Sequence, residues 1–193
     1  MRILLFGGTF NPVHWGHLVL AEELREEFGY DLVLFVPSAR PPHKEVASDP
    51  GPEARLAMLS LALADNPRFA VDDCELSRPG LSYTIDTLRH VAKRRDLEGR
   101  PGLVLGDDLV PGFHSWHEPG AIAAESDIIV ARRDPAGGAW PQLGFPHRRA
   151  SNRLIPLSSS EVRARVASGR SIRYLVPEAV RLYIEKGGFY DAG

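Results

Sequence analysis

Short apolar runs, each bounded by turn-forming or charged residues, recur along the whole chain. Runs of this kind, without strict alternation of polar and apolar positions, are typical of strands buried on both faces, as in a parallel sheet. The predicted strands are residues 3–6, 32–36, 69–71, 103–105, 128–131 and 154–156.

Between these runs lie segments whose apolar residues recur at helical spacing. The predicted helices are residues 18–28, 53–64, 83–94 and 159–167, followed by a last amphipathic helix that opens at Pro177. This alternation of strands and helices predicts an α/β fold with a doubly wound parallel sheet, in which ligands bind beyond the carboxyl ends of the strands. We expect one domain over residues 1–193, with a small C-terminal helical part from about residue 157 to 193.

Charge and composition exclude several classes of binding partner and bound metal. The 193 residues carry a formal net charge of −2, so no overall basic field exists to hold nucleic acid or an anionic membrane, and we expect neither as a partner. Cys74 is the only cysteine, which excludes an internal disulfide or a multi-thiolate metal site. Because no segment approaches the roughly 20 apolar residues that span a bilayer, we expect a cytoplasmic protein.

The most informative segment follows the first predicted strand, where Gly7 and Gly8 precede His14 and His17 at the opening of a helix. Adjacent glycines let the backbone approach a ligand closely, and unpaired N–H groups at a helix start attract anions, so the segment predicts a phosphate site. Its spacing fits neither the dinucleotide fingerprint nor the Walker loop. The two imidazoles are candidates for donating hydrogen bonds to phosphate oxygens; the alternatives are a helix cap or, with less support, zinc.

Further candidates lie at other ends of predicted elements. Gly106, Asp107 and Asp108 follow a strand, where a carboxylate can accept hydrogen bonds from ribose hydroxyls or simply face solvent. Three serines, residues 158–160, precede a helix and can cap it or meet phosphate, with Arg163 one turn in. Residues 132–153 hold five arginines and one acid, a basic stretch that suits a triphosphate or is largely solvated.

Gly7-Gly8-Thr9-Phe10 together with His14-x-Gly16-His17 resembles the nucleotidyltransferase superfamily, which transfers nucleotidyl groups from nucleoside triphosphates. Downstream motifs narrow the resemblance to the bacterial nicotinate-mononucleotide adenylyltransferases over nearly the whole chain. These motifs, in chain order, are Pro41-Pro42-His43-Lys44, Arg55, the run from Ser82 to Leu88, Gly106-x-Asp108, Trp116, Arg132-Arg133 and Ser158-Ser159-Ser160-x-Val162-Arg163. Two positions depart from the family pattern: Asn11 stands where aspartate is common, and Ser160 where threonine is.

The resemblance implies a Rossmann-like fold, Mg²⁺ accompanying ATP, and adenylyl transfer from ATP to nicotinate mononucleotide in NAD biosynthesis, giving nicotinate adenine dinucleotide and pyrophosphate. It implies His14, His17 and Arg163 as catalytic residues and no metal held by the protein itself. The residues that it implies for ATP are Gly7, Gly8, Thr9, Phe10, His17, Gly106, Asp108, Arg133, Ser158, Ser159 and Arg163. Those that it implies for the acceptor are Lys44, Arg55, Ser82, Tyr83, Thr84 and Trp116.

Such a transfer needs no protein nucleophile, because positioning and charge neutralisation dominate the chemistry. The expected partners are therefore ATP and nicotinate mononucleotide. Nicotinamide mononucleotide, phosphopantetheine or another phosphorylated alcohol stays open as the acceptor, as does a nucleotide-sensing module without catalysis. A homo-oligomer is also left open by the sequence.

Overall fold

Six parallel strands form one sheet in the order β3-β2-β1-β4-β5-β6. The computed structural model describes residues 1–39, 49–78, 80–133 and 138–191. The strands are β1 (Ile3–Gly8), β2 (Leu32–Pro37), β3 (Phe69–Val71), β4 (Gly102–Gly106), β5 (Asp127–Ala131) and β6 (Arg148–Arg149). This is the strand order of a Rossmann-like doubly wound sheet, so the predicted fold class is confirmed.

Helices cover both faces of the sheet. They are α1 (Trp15–Phe28), α2 (Pro52–Leu63), α3 (Cys74–Ser77), α4 (Thr84–Arg94), α5 (Pro119–Glu125), α6 (Ser159–Ala167) and α7 (Glu178–Gly187), with a 3-10 helix over Asp107–Ser115. α1 ends at Gly29, whose φ of 66° closes the helix in the left-handed conformation that glycine adopts without strain. None of the helices in the described ranges is long and apolar enough to cross a membrane.

Side chains of each central strand alternate between two hydrophobic clusters. In β1, Leu4 and Phe6 enter one cluster while Ile3 and Leu5 enter the other. Because both faces are covered, every one of these positions is apolar, which explains the continuous runs in the sequence. α6 and α7 pack Val162, Val180 and Ile184 into the first cluster, so the C-terminal helices share a core with the sheet.

The predicted strand at residues 154–156 is wrong. These residues form no strand, and the sixth strand is instead Arg148–Arg149, an exposed pair at the sheet edge that bonds to β5. An edge strand of two exposed residues buries no side chain and therefore leaves no apolar run. Three further elements escaped prediction, namely α3, α5 and the 3-10 helix, all too short or irregular for a helical period.

Candidate active site

The candidate site lies where the strand order reverses. β1 pairs with both β2 and β4, so its carboxyl end at Gly7 and Gly8 lies between β2 and the end of β4 at Gly106. Connections from β1 and β4 leave in opposite directions there, which opens a crevice beyond the strand ends. The loop after β1, residues 9–14, forms one wall and is called the phosphate loop below.

The C-terminal part of the chain holds the phosphate loop from outside. The Tyr190 hydroxyl donates to Asn11 Oδ1 at 2.6 Å, and Arg163 Nη1 donates to the Asn11 carbonyl at 2.7 Å. Ser159 Oγ donates to the carbonyl of Pro12 at 2.9 Å. These contacts join residues about 150 or more positions apart, so the loop takes its shape only when the whole chain has folded.

Arg55 holds the same loop from inside. Its side chain has no exposed surface, and Nη1 donates to the carbonyls of Thr9 at 2.9 Å and Ser38 at 2.8 Å. Nη2 donates to Ala39 and Nε to the Asp49 carboxylate. The guanidinium is enclosed and bonded to protein groups in this arrangement, and the predicted role of Arg55 toward the acceptor stays a prediction. Arg55 positions the loops that follow β1 and β2.

His14 and His17 lie together at the start of α1, their rings stacked with centroids 3.7 Å apart and an interplanar angle of 27°. The backbone N–H of His14 donates to His17 Nδ1 at 3.2 Å. Since Nδ1 accepts, a neutral His17 carries its proton on Nε2, which makes Nε2 a donor. Gly16 allows the stack, because a Cβ there would lie 3.0 Å from His14 Nδ1.

Both imidazoles are held in the neutral form. Burial, assisted by the charge of Arg133, lowers the pKa of His14 to about 4. Burial also lowers the pKa of His17 well below its usual value, with His14 and Arg133 adding to the effect. At neutral pH the pair therefore offers hydrogen-bond donors without positive charge, and the charge near a bound phosphate has to come from arginines.

The glycines and Phe10 have different roles in the phosphate loop. A Cβ at Gly7 would meet no atom within 4 Å, so the strand end faces open space on that side. A Cβ at Gly8 would come within 3.0 Å of the Phe10 ring. Phe10 is itself buried, with its ring edge-on to His17 at 5.1 Å, so its side chain supports the imidazole from below.

At the end of β4, two neighbouring aspartates have different surroundings and different partners. Asp107 is buried and accepts from the backbone N–H of Arg133 at 2.8 Å and from Arg132 Nη1 at 3.4 Å, which fixes the segment after β5. Asp108 is half exposed and lies 3.5 Å from the Arg133 guanidinium. A Cβ at Gly106 would overlap Asp108 Oδ1 and lie 2.7 Å from Cδ of Arg133. Only glycine lets these two side chains cross over the strand end.

The remaining arginines of the basic stretch contact protein groups. Arg132 and Arg149 lie over the Trp140 ring, Arg148 contacts Tyr30 and Phe28, and Arg153 pairs with Glu23. Arg133, about half exposed and close enough to shift both histidines, is therefore the arginine of this stretch that faces the candidate site.

The helix N-terminus that the sequence assigned to phosphate is capped as expected. Ser158 Oγ accepts from the backbone N–H of Glu161 at 3.1 Å. Arg163, one turn in, uses Nη2 to contact Ser160 at 3.1 Å in addition to its bond to the phosphate loop. The loop and the start of α6 therefore lie side by side, and Arg163 links them.

The predicted acceptor residues lie on and beside the start of α4. Tyr83 occupies the N-cap position of α4, and its ring stacks on His117 with centroids 4.3 Å apart. His117 follows Trp116, a half-buried ring that packs on Phe113. His117 escaped the sequence prediction, although its place next to Trp116 is a signal that could have found it. Ser82 Oγ donates to the Glu75 carbonyl, Thr84 opens the helix, and Lys44 lies outside the described residues.

Comparisons with known proteins agree with this geometry. The family model described as cytidylyltransferase-like matches residues 5–165. A Salinibacter ruber protein named "Probable nicotinate-nucleotide adenylyltransferase" is 43% identical over 98% of each chain, and a Thermus thermophilus protein of the same name is 42% identical over 98% of this chain and 100% of its own.

Among solved structures, the Plasmodium falciparum nicotinic acid mononucleotide adenylyltransferase complexed with NaAD is similar, with a TM-score of 0.77. The match covers 100% of this chain and 98% of that one at 20% identity, which supports the fold alone. Fold, site geometry and full-length identity together place the chain: it belongs to the cytidylyltransferase-like family and, within it, to the nicotinate-nucleotide adenylyltransferases.

Proposed function

We propose that this chain transfers the adenylyl group of ATP to nicotinate mononucleotide in NAD biosynthesis, giving nicotinate adenine dinucleotide and pyrophosphate. An oxygen of the acceptor phosphate attacks the α-phosphorus of ATP and forms the new O–P bond. The bond from the α-phosphorus to the oxygen bridging it to the β-phosphate breaks, and pyrophosphate leaves with that electron pair. The observation that carries the proposal is the neutral, stacked pair of imidazoles beside Arg133 and Arg163 at the end of β1.

The site supplies donors rather than a nucleophile. His17 Nε2 donates to a nonbridging oxygen of the α-phosphate, and its orientation is preset by the bond from the His14 backbone to Nδ1. Arg163 and Arg133 supply the positive charge that two neutral imidazoles lack. Groups fixed before the reaction stabilise charge on the transferring phosphate without reorganising, which is the dominant source of rate in such transfers.

We also propose that Mg²⁺ enters with ATP, on the oxygens of the triphosphate. Mg²⁺ prefers oxygen ligands, whereas the phosphate loop and the start of α6 supply imidazoles and guanidinium groups. The carboxylates at the end of β4, Asp107 and Asp108, are each engaged with an arginine. The donor set thus fits an ion that neutralises ATP charge more than a resident ion in a protein cage.

The start of α4 favours nicotinate over nicotinamide as the ring of the acceptor. A helix N-terminus carries partial positive charge, so Tyr83 and Thr84 place a carboxylate where an amide gains less. The Tyr83–His117 stack and Trp116 offer flat surfaces for a pyridine ring. The preference for the acid is then an electrostatic one.

The deciding experiment measures pyrophosphate release from ATP with nicotinate mononucleotide, nicotinamide mononucleotide and phosphopantetheine in parallel. We expect kcat/KM to be highest for nicotinate mononucleotide. Equal or faster turnover with the amide contradicts the acceptor assignment. ATP binding without pyrophosphate release from any acceptor identifies a nucleotide-sensing module instead.

Replacement of the donor tests the imidazole pair. His17→Ala removes the Nε2 donor, and we expect kcat to fall about 100-fold or more. His114→Ala, at an exposed histidine of the 3-10 helix, is the matched control and is expected to keep full activity. Far-ultraviolet circular dichroism checks that both variants are folded. Unchanged turnover in folded His17→Ala refutes the role of the pair.

Location and assembly belong to the same proposal. Because ATP is the donor of the proposed reaction, we propose that the enzyme works in the cytoplasm. A homo-oligomer stays a prediction, which sedimentation of the purified protein tests.

A further inference from the structure

Three side chains with metal-ligating atoms meet away from the phosphate loop. Asp72 directly follows β3, Cys74 opens α3, and His90 lies nearly two turns into α4. One ligand atom from each lies within 4.8 Å of the other two. Within the described residues, this is the one cluster of three potential metal ligands. The chain reaches this point by three separate elements, so sequence spacing alone does not reveal the cluster.

The distance between two of these ligand atoms is compatible with a tetrahedral ion. Zinc bonds of about 2.0 Å to nitrogen or oxygen and about 2.3 Å to sulfur place neighbouring ligand atoms roughly 3.3–3.7 Å apart. His90 Nε2 lies 3.6 Å from Asp72 Oδ1, which is too long for a hydrogen bond. A separation of 3.6 Å lies at the upper end of the range for two atoms that share a tetrahedral ion.

The types of ligand atom indicate which ion the cluster would bind. A thiolate and an imidazole together favour Zn²⁺ over Mg²⁺ or Ca²⁺, which prefer oxygen ligands throughout. We propose that Asp72, Cys74 and His90 bind one Zn²⁺ ion, with the fourth tetrahedral position taken by water. Burial and the neighbouring Asp72 raise the pKa of Cys74 to about 12, so the free thiol is protonated at neutral pH and gives its proton to solvent when the ion binds. The resulting thiolate and the carboxylate then neutralise the charge of the ion while the imidazole stays neutral.

The surroundings support a fixed site. Cys74 is buried, while His90 keeps 24% of its side chain exposed, which leaves a path for the ion from solvent. The backbone N–H of Cys74 donates to Asp72 Oδ1 at 3.1 Å and so holds the carboxylate beside the sulfur. Hydrogen bonds of this kind orient ligands in metal sites.

A bound ion would tie β3 and α3 to α4. The segment between Cys74 and His90 contains Ser82, Tyr83 and Thr84, so the ion would stabilise the base of the proposed acceptor pocket without contacting a substrate. The site is therefore structural and independent of adenylyl transfer, and its failure leaves the proposed reaction untouched.

The test uses the full chain, freed of metal with a chelator and titrated with Zn²⁺ against a chromophoric competitor. We expect one tightly bound ion for each chain, counted by atomic emission, and a rise in the thermal midpoint on binding. Co²⁺ in place of Zn²⁺ should give a near-ultraviolet thiolate-to-metal charge-transfer band, which reports directly on Cys74.

Variants locate the ion. His90→Gln changes a partly exposed ligand and should weaken Zn²⁺ binding at least about 100-fold, whereas His114→Gln, the matched surface control, should leave it unchanged. Cys74→Ser should abolish the Co²⁺ band; if that variant does not fold, His90→Gln decides alone. The proposal is overturned if the wild-type chain binds no Zn²⁺ tightly, or if His90→Gln binds it as well as the wild type.

Discussion

Replacement of Arg55 distinguishes two roles for the same residue. The sequence pattern assigns Arg55 to a substrate phosphate, whereas the structure encloses it beneath the loops that follow β1 and β2. Arg55→Met keeps much of the buried aliphatic volume and removes every donor. A phosphate ligand and a positioning residue respond to that change in different ways.

The expected loss of stability follows from the bonds that disappear. Arg55→Met leaves the carbonyls of Thr9, Ser38 and Ala39 without their donor and Asp49 without its ion-pair partner. Each partly buried carbonyl left unpaired costs about 1 kcal/mol or more, so the free energy of unfolding should fall by about 3–5 kcal/mol. For a chain of this size that corresponds to a thermal midpoint lower by roughly 6–20 °C.

The assay is urea unfolding followed by circular dichroism, with steady-state pyrophosphate release on the same samples. Arg55→Lys should lose most of the same stability, because one ammonium does not reproduce a fork that spans three carbonyls. Arg153→Met, at an exposed arginine paired with Glu23, is the matched control and should unfold like the wild type.

The phosphate-ligand role predicts the opposite pattern. Under it, Arg55→Met would keep the wild-type unfolding midpoint while KM for one substrate rises. That result would refute the positioning role, since a guanidinium with four protein hydrogen bonds does not leave them without a cost in stability. A fall in stability together with a fall in kcat supports it.

Three further predictions follow from the same site. Gly106→Ala should leave the unfolding midpoint nearly unchanged, because the added Cβ meets the flexible side chains of Asp108 and Arg133. It should raise KM for ATP about tenfold or more, because those side chains are displaced. A wild-type KM contradicts the proposed close approach of ATP to the end of β4. Between about pH 6.5 and 4 the unfolded chain binds a proton at His14 that the folded chain does not, so the free energy of unfolding should decrease as pH falls, by up to about 3 kcal/mol from this residue. In urea titrations His14→Gln should reduce that slope and leave the part due to His17. Tyr190→Phe leaves the buried Asn11 Oδ1 without its donor and should cost about 1–3 kcal/mol by urea unfolding; a change within error refutes the contact.

Much of the fold could be predicted from local patterns in the sequence. Five of the six strands appear as apolar runs because both faces of a covered parallel sheet exclude water. The main helices show apolar residues at helical spacing because one side of each helix packs against the core. The glycine pair and the two histidines after β1 are recognisable because close approach and hydrogen-bond donation need those residue types within a few positions. β6, made of two exposed arginines, escaped because it buries nothing.

Contacts between residues that are distant in the chain could be found only in the folded structure. Sequence pattern alone is enough to predict the wound sheet, the edge where the site lies and the residue types that face it. Only folding decided that Arg55 is enclosed, that Tyr190 reaches back to Asn11, and that Asp72 and Cys74 meet His90. Periodicity reports whether a side chain faces the core, but the partner that it meets there is set by how separate elements pack together.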